Sequence, residues 1–365
     1  MSYRPAYART GGGIVTRRSG TTPPVAVAVS AAEVLAAGGG LALAALLGVS
    51  DAPNAVAPLV SSRTRAYLPV AGWSVLWHLV GGLLAGTLVA QTTVGLVDVP
   101  AGSLAAVLAA GCWAAVVFTW AATRLGLPAS ASVSLVGGLA GAALATGGAG
   151  AVNWGGVEGV RIHGVLGVLA GIVIAPVAAG TAAYFLEQVL RPFTLRLRRQ
   201  AARPLRAGVW AASAAVALAD GTNDGQKAMG VLTASLSGAA ALAPGRSGIP
   251  WTVRLGCSVL LAACTVLGGR RVVLTVARRL WRSNTPDDLA AEGSAAALIF
   301  LAGGAGLPLS TSTVVTSAKV GAGASRRPRH LNRRQVARVL ATWLVTLPAS
   351  AGGGALLIGF SRMLG

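Results

Sequence analysis

Between Ala217 and Val231 the sequence reads ALADGTNDGQKAMGV, which sets Asp220, Asn223, Asp224, Gln226 and Lys227 between two apolar arms. This stretch constrains the chain more than any other. An ionisable group at the centre of a membrane helix costs roughly 2.5 to 3.5 kcal/mol, so Asp220, Asp224 and Lys227 together would cost about 8 to 10 kcal/mol. That is comparable to the whole net stability of a domain, on the order of 5 to 15 kcal/mol. The polar groups must pair with one another, line a wet cavity or hold an ion. Gly221 and Gly225 flank Asn223 and Asp224, and their placement predicts a break in the helix that frees backbone groups for an ion.

The apolar arms imply a membrane because the whole chain has their character. It is 54% hydrophobic and 11% charged, with a mean hydropathy of +0.68, whereas a soluble domain is about 25% charged. The formal charge of +20 comes almost entirely from arginine, with lysine only at Lys227 and Lys319. These arginines sit in short loops between apolar spans, a pattern set by membrane orientation rather than by nucleic acid. The 3 cysteines, Cys112, Cys257 and Cys264, fall inside apolar spans without metal-ligand spacing and read as packing residues.

Residues 1–24 read as a flexible basic arm ending at Pro23-Pro24. The apolar run from Val25 to Val49 is too long for the core of a signal peptide, which is about 7 to 15 residues. It leads into GVSDAPNAVAPLVSSR, where Asp51 and Asn54 interrupt it and Pro53 predicts another helix break. Aligned on their acids, Asp51 matches Asp224, Ser50 matches Asn223 and Asn54 matches Lys227. A second motif also occurs twice: G-L-P-x-S-x-S at Gly126–Ser132 and again at Gly306–Ser312. Two motifs recurring in one order indicate an internal duplication, with repeats at 25–148 and 206–324, a connecting span and basic loop at 149–205, and a basic loop and last span at 325–365. Placing the loop with Arg191, Arg196, Arg198, Arg199, Arg203 and Arg206 in the cytoplasm puts the other arginine-rich loops there too. About ten crossings satisfy that pattern, with both termini outside, and the repeats then lie in opposite orientations. The fold class expected is an all-α polytopic membrane protein with two inverted repeats and broken helices.

TNDGQKAMG resembles the signature of the PiT family of inorganic phosphate transporters, whose G-x-N-D core reads here Gly221-Thr222-Asn223-Asp224. Asp51 and Asn54 match the family's first copy, with Ser50 in place of its usual Asn or His. The serine-rich motif is also a family feature, although Val133 and Thr313 stand where its histidine would be. The resemblance implies a secondary transporter in the cell membrane, moving inorganic phosphate by alternating access and coupled to sodium or protons, with no other cofactor and no enzymatic activity. The partners it implies are phosphate, membrane lipid, the coupling cation and, as an assembly, a homodimer.

The residues themselves suit an anion. Helix N-termini and hydroxyl donors replace phosphate hydration, and each serine-rich motif offers both. Ser130 and Ser132, with Ser310, Thr311 and Ser312, either bind the ligand or merely cap their helices. Asp51, Asn54, Asn223 and Asp224 are hard oxygen groups that could coordinate a cation such as sodium, or an Asp could accept a bond from a protonated phosphate oxygen. A buried ion pair of Asp224 or Asp220 with Lys227 or Lys319 is the plainer account. His78 and His163 stand without a partner at useful spacing and read as packed or interfacial. Trp73, Trp77, Trp154, Trp251 and Trp343 read as interfacial anchors. The rival readings are a sulfate permease of the same family and an intramembrane aspartyl protease. The latter's YD and GxGD contexts are absent around Asp51 and Asp224.

Overall fold

The computed structural model describes residues 30–61, 67–125, 129–158, 161–196, 202–243, 245–246, 248–267, 284–326 and 333–364. The helices are α1 (Ala31–Ser61), α2 (Tyr67–Leu84), α3 (Leu88–Val94), α4 (Ala101–Arg124), α5 (Ala131–Gly147), α6 (Gly164–Arg196), α7 (Ala202–Ser237), α8 (Trp251–Leu267), α9 (Thr285–Gly304), α10 (Thr311–Arg326) and α11 (Arg333–Leu364). A small antiparallel hairpin, β1 (Val157–Glu158) and β2 (Arg161–Ile162), precedes α6 and pairs Val157 with Ile162. The basic arm at 1–24, the tripeptide Gly126-Leu127-Pro128 and most of the arginine-rich loops lie outside the described residues.

Helix partners follow a two-fold exchange. Helix α1 packs on α4 and α8, while α7 packs on α9 and α2. Helix α5 packs on α4 and α11, while α10 packs on α9 and α6. Exchanging α1 with α7, α2 with α8, α4 with α9, α5 with α10 and α6 with α11 reproduces these contacts. Each motif helix therefore has a counterpart in the other half, and α1 and α7 meet each other at the centre.

Two apolar cores flank that centre. One joins Leu43, Leu47, Leu108, Leu135, Leu139 and Met229; the other joins Ala179, Ala183, Val216, Ala290, Ile299 and Val315. Small residues dominate the second, as expected where helices approach closely without a hydrophobic gradient to drive them together. Exposed Val173, Ile174 and Val177 give α6 an apolar outer face suited to lipid.

Two expectations change here. The polar stretch does not break its helix: α7 is helical from Ala202 to Ser237, and α1 likewise runs on past Asp51 and Asn54. The glycines serve contact instead. A Cβ on Gly221 would lie 2.3 Å from the His78 carbonyl oxygen, and one on Gly81 would lie 2.2 Å from that of Leu218, so α2 and α7 touch backbone to backbone. The interruptions fall elsewhere, between α4 and α5 and between α9 and α10, at the two serine-rich motifs. Six helices among the described residues are long and apolar enough to cross a membrane: α1, α2, α4, α5, α6 and the last part of α11. Helix α8 is apolar but short at 17 residues, and α7 is diluted by its own polar groups, so the count of about ten is not reached on apolarity alone.

Candidate functional site

The chain folds its polar groups inward to one place. On α7, Asp220, Asn223, Asp224 and Lys227 are each at most 1% exposed. Helical spacing of three and four residues sets them on adjoining faces, towards α1, α2, α9 and α10. Asp51 and Asn54 of α1 are buried opposite, and the Asp51 carboxyl lies near that of Asp224.

The two serine-rich motifs meet at the same point. Ser130 is the N-cap of α5, accepting from the Val133 N–H at 3.2 Å, and Ser310 accepts from the Thr313 N–H at 3.3 Å. The Ser130 hydroxyl then donates to the Ser310 hydroxyl at 2.7 Å. The oxygens that cap the two helices are thus the ones that meet. The first-turn N–H groups of a helix have no carbonyl partner in that helix, so α5 and α10 aim two positive ends at one spot. Val133 and Thr313 sit inside these first turns, and Thr313 donates its hydroxyl to the Ser310 carbonyl at 2.8 Å.

Lys227 ties the motifs together. Its ammonium donates to the Ser132 hydroxyl at 2.7 Å, to the Leu309 carbonyl and to the Asp224 carboxylate. The other Asp224 oxygen accepts from the Thr311 hydroxyl at 2.9 Å. Asp51 accepts from Asn54 at 3.2 Å and from Ser50 at 3.3 Å. Asn223 donates to the Leu307 carbonyl at 3.1 Å, while its buried side-chain oxygen has no partner among the described residues. Ser312 is half-buried, 3.4 Å from Ser310. Gln226 accepts from the Val89 N–H at 3.0 Å and so satisfies the start of α3.

All the residues singled out in the sequence, Asp51, Asn54, Ser130, Ser132, Asn223, Asp224, Lys227, Ser310, Thr311 and Ser312, fall on the four helices α1, α5, α7 and α10 or their caps. The pairing of Lys227 with Asp224 is the ion pair that the plainer account expects. Lys319 pairs instead with Glu292 of α9 at 3.3 Å and donates to the Asn54 carbonyl at 3.4 Å. Glu292 is fully buried and escapes sequence reading, although it is the one acid followed by the apolar run of α9. His78 also has a partner that spacing hides: Asp220, whose carboxylate stands 3.9 Å from Nε2. Trp73 packs edge-on against Trp77 and Trp210, with ring centroids 5.6 and 5.7 Å away, and its contact with Trp210 joins α2 to α7.

Chemically, the place offers an ammonium, two helix N-termini and a ring of hydroxyls beside two carboxyls. Such a set holds an oxyanion that still carries a proton: donors take its bare oxygens and a carboxylate takes its hydroxyl.

The model of the phosphate transporter family matches residues 47–210 and 196–354. A relative from Mycobacterium tuberculosis, named a probable low-affinity inorganic phosphate transporter, is 32% identical over 319 residues, covering 87% of this chain and 75% of its own length. One of the same description from Bacillus subtilis is 30% identical, covering 85% of this chain and 91% of its own. The solved structure of a sodium-dependent phosphate transporter superposes with a TM-score of 0.79 at 21% identity, covering 92% of this chain and 100% of its own, which establishes the fold. This chain belongs to the phosphate transporter family.

Proposed function

We propose that the protein carries inorganic phosphate across the cell membrane by alternating access, coupled to a cation gradient. The observation that carries this reading is the hydrogen bond between Ser130 and Ser310, which joins the N-termini of α5 and α10 beside the Lys227 ammonium. The relatives' names supply the substrate. In this arrangement the donors satisfy one another. An arriving phosphate takes over the hydroxyls of Ser130, Ser132 and Ser310 and the first-turn N–H groups, while Asp224 accepts from a P–OH.

The two-fold exchange of helix partners supports the alternating step. If one half adopts the packing of the other, the shared site changes the side to which it opens, as in transporters built from inverted repeats. In both arrangements α1 and α7 stay together with their acids.

Uptake of labelled phosphate into proteoliposomes holding the full chain, under imposed sodium and pH gradients and with sulfate as competitor, tests this. Gradient-driven accumulation that excess sulfate leaves largely intact is expected. Sulfate accumulation in its place, or phosphate fluxes that only follow its own gradient, would overturn the reading.

A further inference from the structure

His78 on α2 and Asp220 on α7 lie beside the anion site but take no part in it. Both are 1% exposed. The His78 Nδ1 is 2.8 Å from the Ser74 carbonyl oxygen and 3.2 Å from the Ser74 hydroxyl. A carbonyl oxygen only accepts, so Nδ1 carries a hydrogen. In the neutral ring Nε2 is then a bare lone pair. It faces an Asp220 oxygen at 3.9 Å, and neither Nε2 nor either oxygen of Asp220 has any hydrogen-bond partner among the described residues. An ionised carboxylate also only accepts. Two buried acceptors aimed at each other, on helices held backbone to backbone through Gly81 and Gly221, are one hydrogen short.

A single proton resolves the arrangement, because on either partner it makes one group the donor and the other the acceptor. It also removes one negative charge from a crowded neighbourhood. The charges acting on Asp220 are Asp51 from α1, Asp224 and Lys227 along α7, and Glu292 from α9, itself paired with Lys319 of α10. From α8, Arg254 is held by the carbonyls of Leu83 and Ala85, and the only other ionisable groups there are the thiols of Cys257 and Cys264. Helix α3 has no ionisable side chain.

We propose that His78 and Asp220 form a binding site for one proton, and that a proton held there strengthens phosphate binding at the adjoining site. The proposal rests on the reading of the protein as a phosphate carrier. Asp220 and Asp224 are one helical turn apart, about 6 Å along α7. Removing the proton places one more negative charge within roughly 10 Å of the anion, which at an effective dielectric near 20 weakens binding on the order of tenfold. Linkage is reciprocal, so phosphate favours protonation of the pair by the same factor. The proton comes from water on whichever side the site is open and leaves with the anion on the other.

The test is equilibrium binding of labelled phosphate to the purified full chain between about pH 5.5 and 8.5, the range in which histidine ordinarily titrates. Phosphate's own ionisation affects every variant alike, so differences between variants isolate the pair. Asp220→Asn supplies an amide N–H to Nε2 in place of the proton. It should lock the high-affinity form, binding about tenfold tighter than wild type at the alkaline end and matching it at the acid end. His78→Gln keeps the carboxylate ionised and should lock the low-affinity form, about tenfold weaker than wild type at the acid end. Proton uptake on adding phosphate to a weakly buffered sample should fall in both variants. Variants that follow the wild-type profile, or an Asp220→Asn protein that is folded yet binds no phosphate at any pH, would overturn the proton site while leaving the phosphate reading intact. If Asp220→Asn does not fold, the opposite shift expected of His78→Gln decides alone. Wild-type protein that binds no phosphate at any pH would refute both readings.

Discussion

The Ser130 hydroxyl donates to the Ser310 hydroxyl across 2.7 Å, although the two residues are 180 positions apart in the chain. Each caps its own helix as well, so one pair of oxygens fixes two helix ends and the junction between the repeats. Removing either hydroxyl should cost about 1 kcal/mol for the lost cap and about 0.5 to 1.5 kcal/mol for the lost partner. Phosphate affinity should drop at least tenfold in Ser130→Ala and in Ser310→Ala. Thermal melting of the two single variants and the double variant checks the link; strictly additive losses would show that the bond contributes nothing.

Lys227 holds Asp224 buried and neutralised. Lys227→Met strands that carboxylate and should destabilise the protein by about 3 to 5 kcal/mol. Adding Asp224→Asn removes the stranded charge and should restore much of the melting temperature while transport stays lost. Detergent melts of both variants, read beside uptake, separate the structural from the functional role of the pair.

Asp224 should also set anion preference. Near neutral pH phosphate keeps a hydroxyl that a carboxylate can accept from, whereas sulfate has none, and an unpaired desolvated contact costs several kcal/mol. Asp224→Asn should therefore lower phosphate uptake severely and narrow the preference for phosphate over sulfate. Competition at fixed cation concentration measures the ratio; a ratio equal to wild type would remove Asp224 from contact with the anion.

Gly221 and Gly225 of the polar stretch should respond differently to a methyl group. In Gly221→Ala the Cβ would meet the His78 carbonyl at 2.3 Å, so α2 and α7 must part and folded yield should collapse. In Gly225→Ala its nearest contact is the flexible end of Met229 at 3.3 Å, and the gain in helix propensity, about 1 kcal/mol, should leave the protein at least as stable. Size-exclusion profiles of the two variants decide it.

That contrast shows where sequence reading of this protein stops. The duplicated acids and the duplicated serine motif were legible because both are local patterns, and order alone paired them. Glycine beside acids looks like a hinge when only neighbours in sequence are visible. Gly221 is required by a carbonyl of another helix, which no local pattern reports. The partners of His78 and Lys319 were hidden for the same reason: Asp220 and Glu292 reach them across helix interfaces. The span count fell short on apolarity because a helix that carries the site, such as α7, is polar where it is most deeply buried.

The exchange of helix partners also bears on how the chain is made. The inner face of α5 is bare glycine at Gly137 and Gly141, and what fills it is α11: Leu347 and Ser350 against the first, Ala351 against the second. Helix α11 leaves the ribosome after every other described helix. Until α11 emerges, α5 lacks the helix that fills this face, and a chain released before residue 333 never gains it. Packing around α5 is thus completed only by a helix made much later, and a nascent chain stalled after α10 should remain sensitive to proteases and quality-control factors that the folded protein resists.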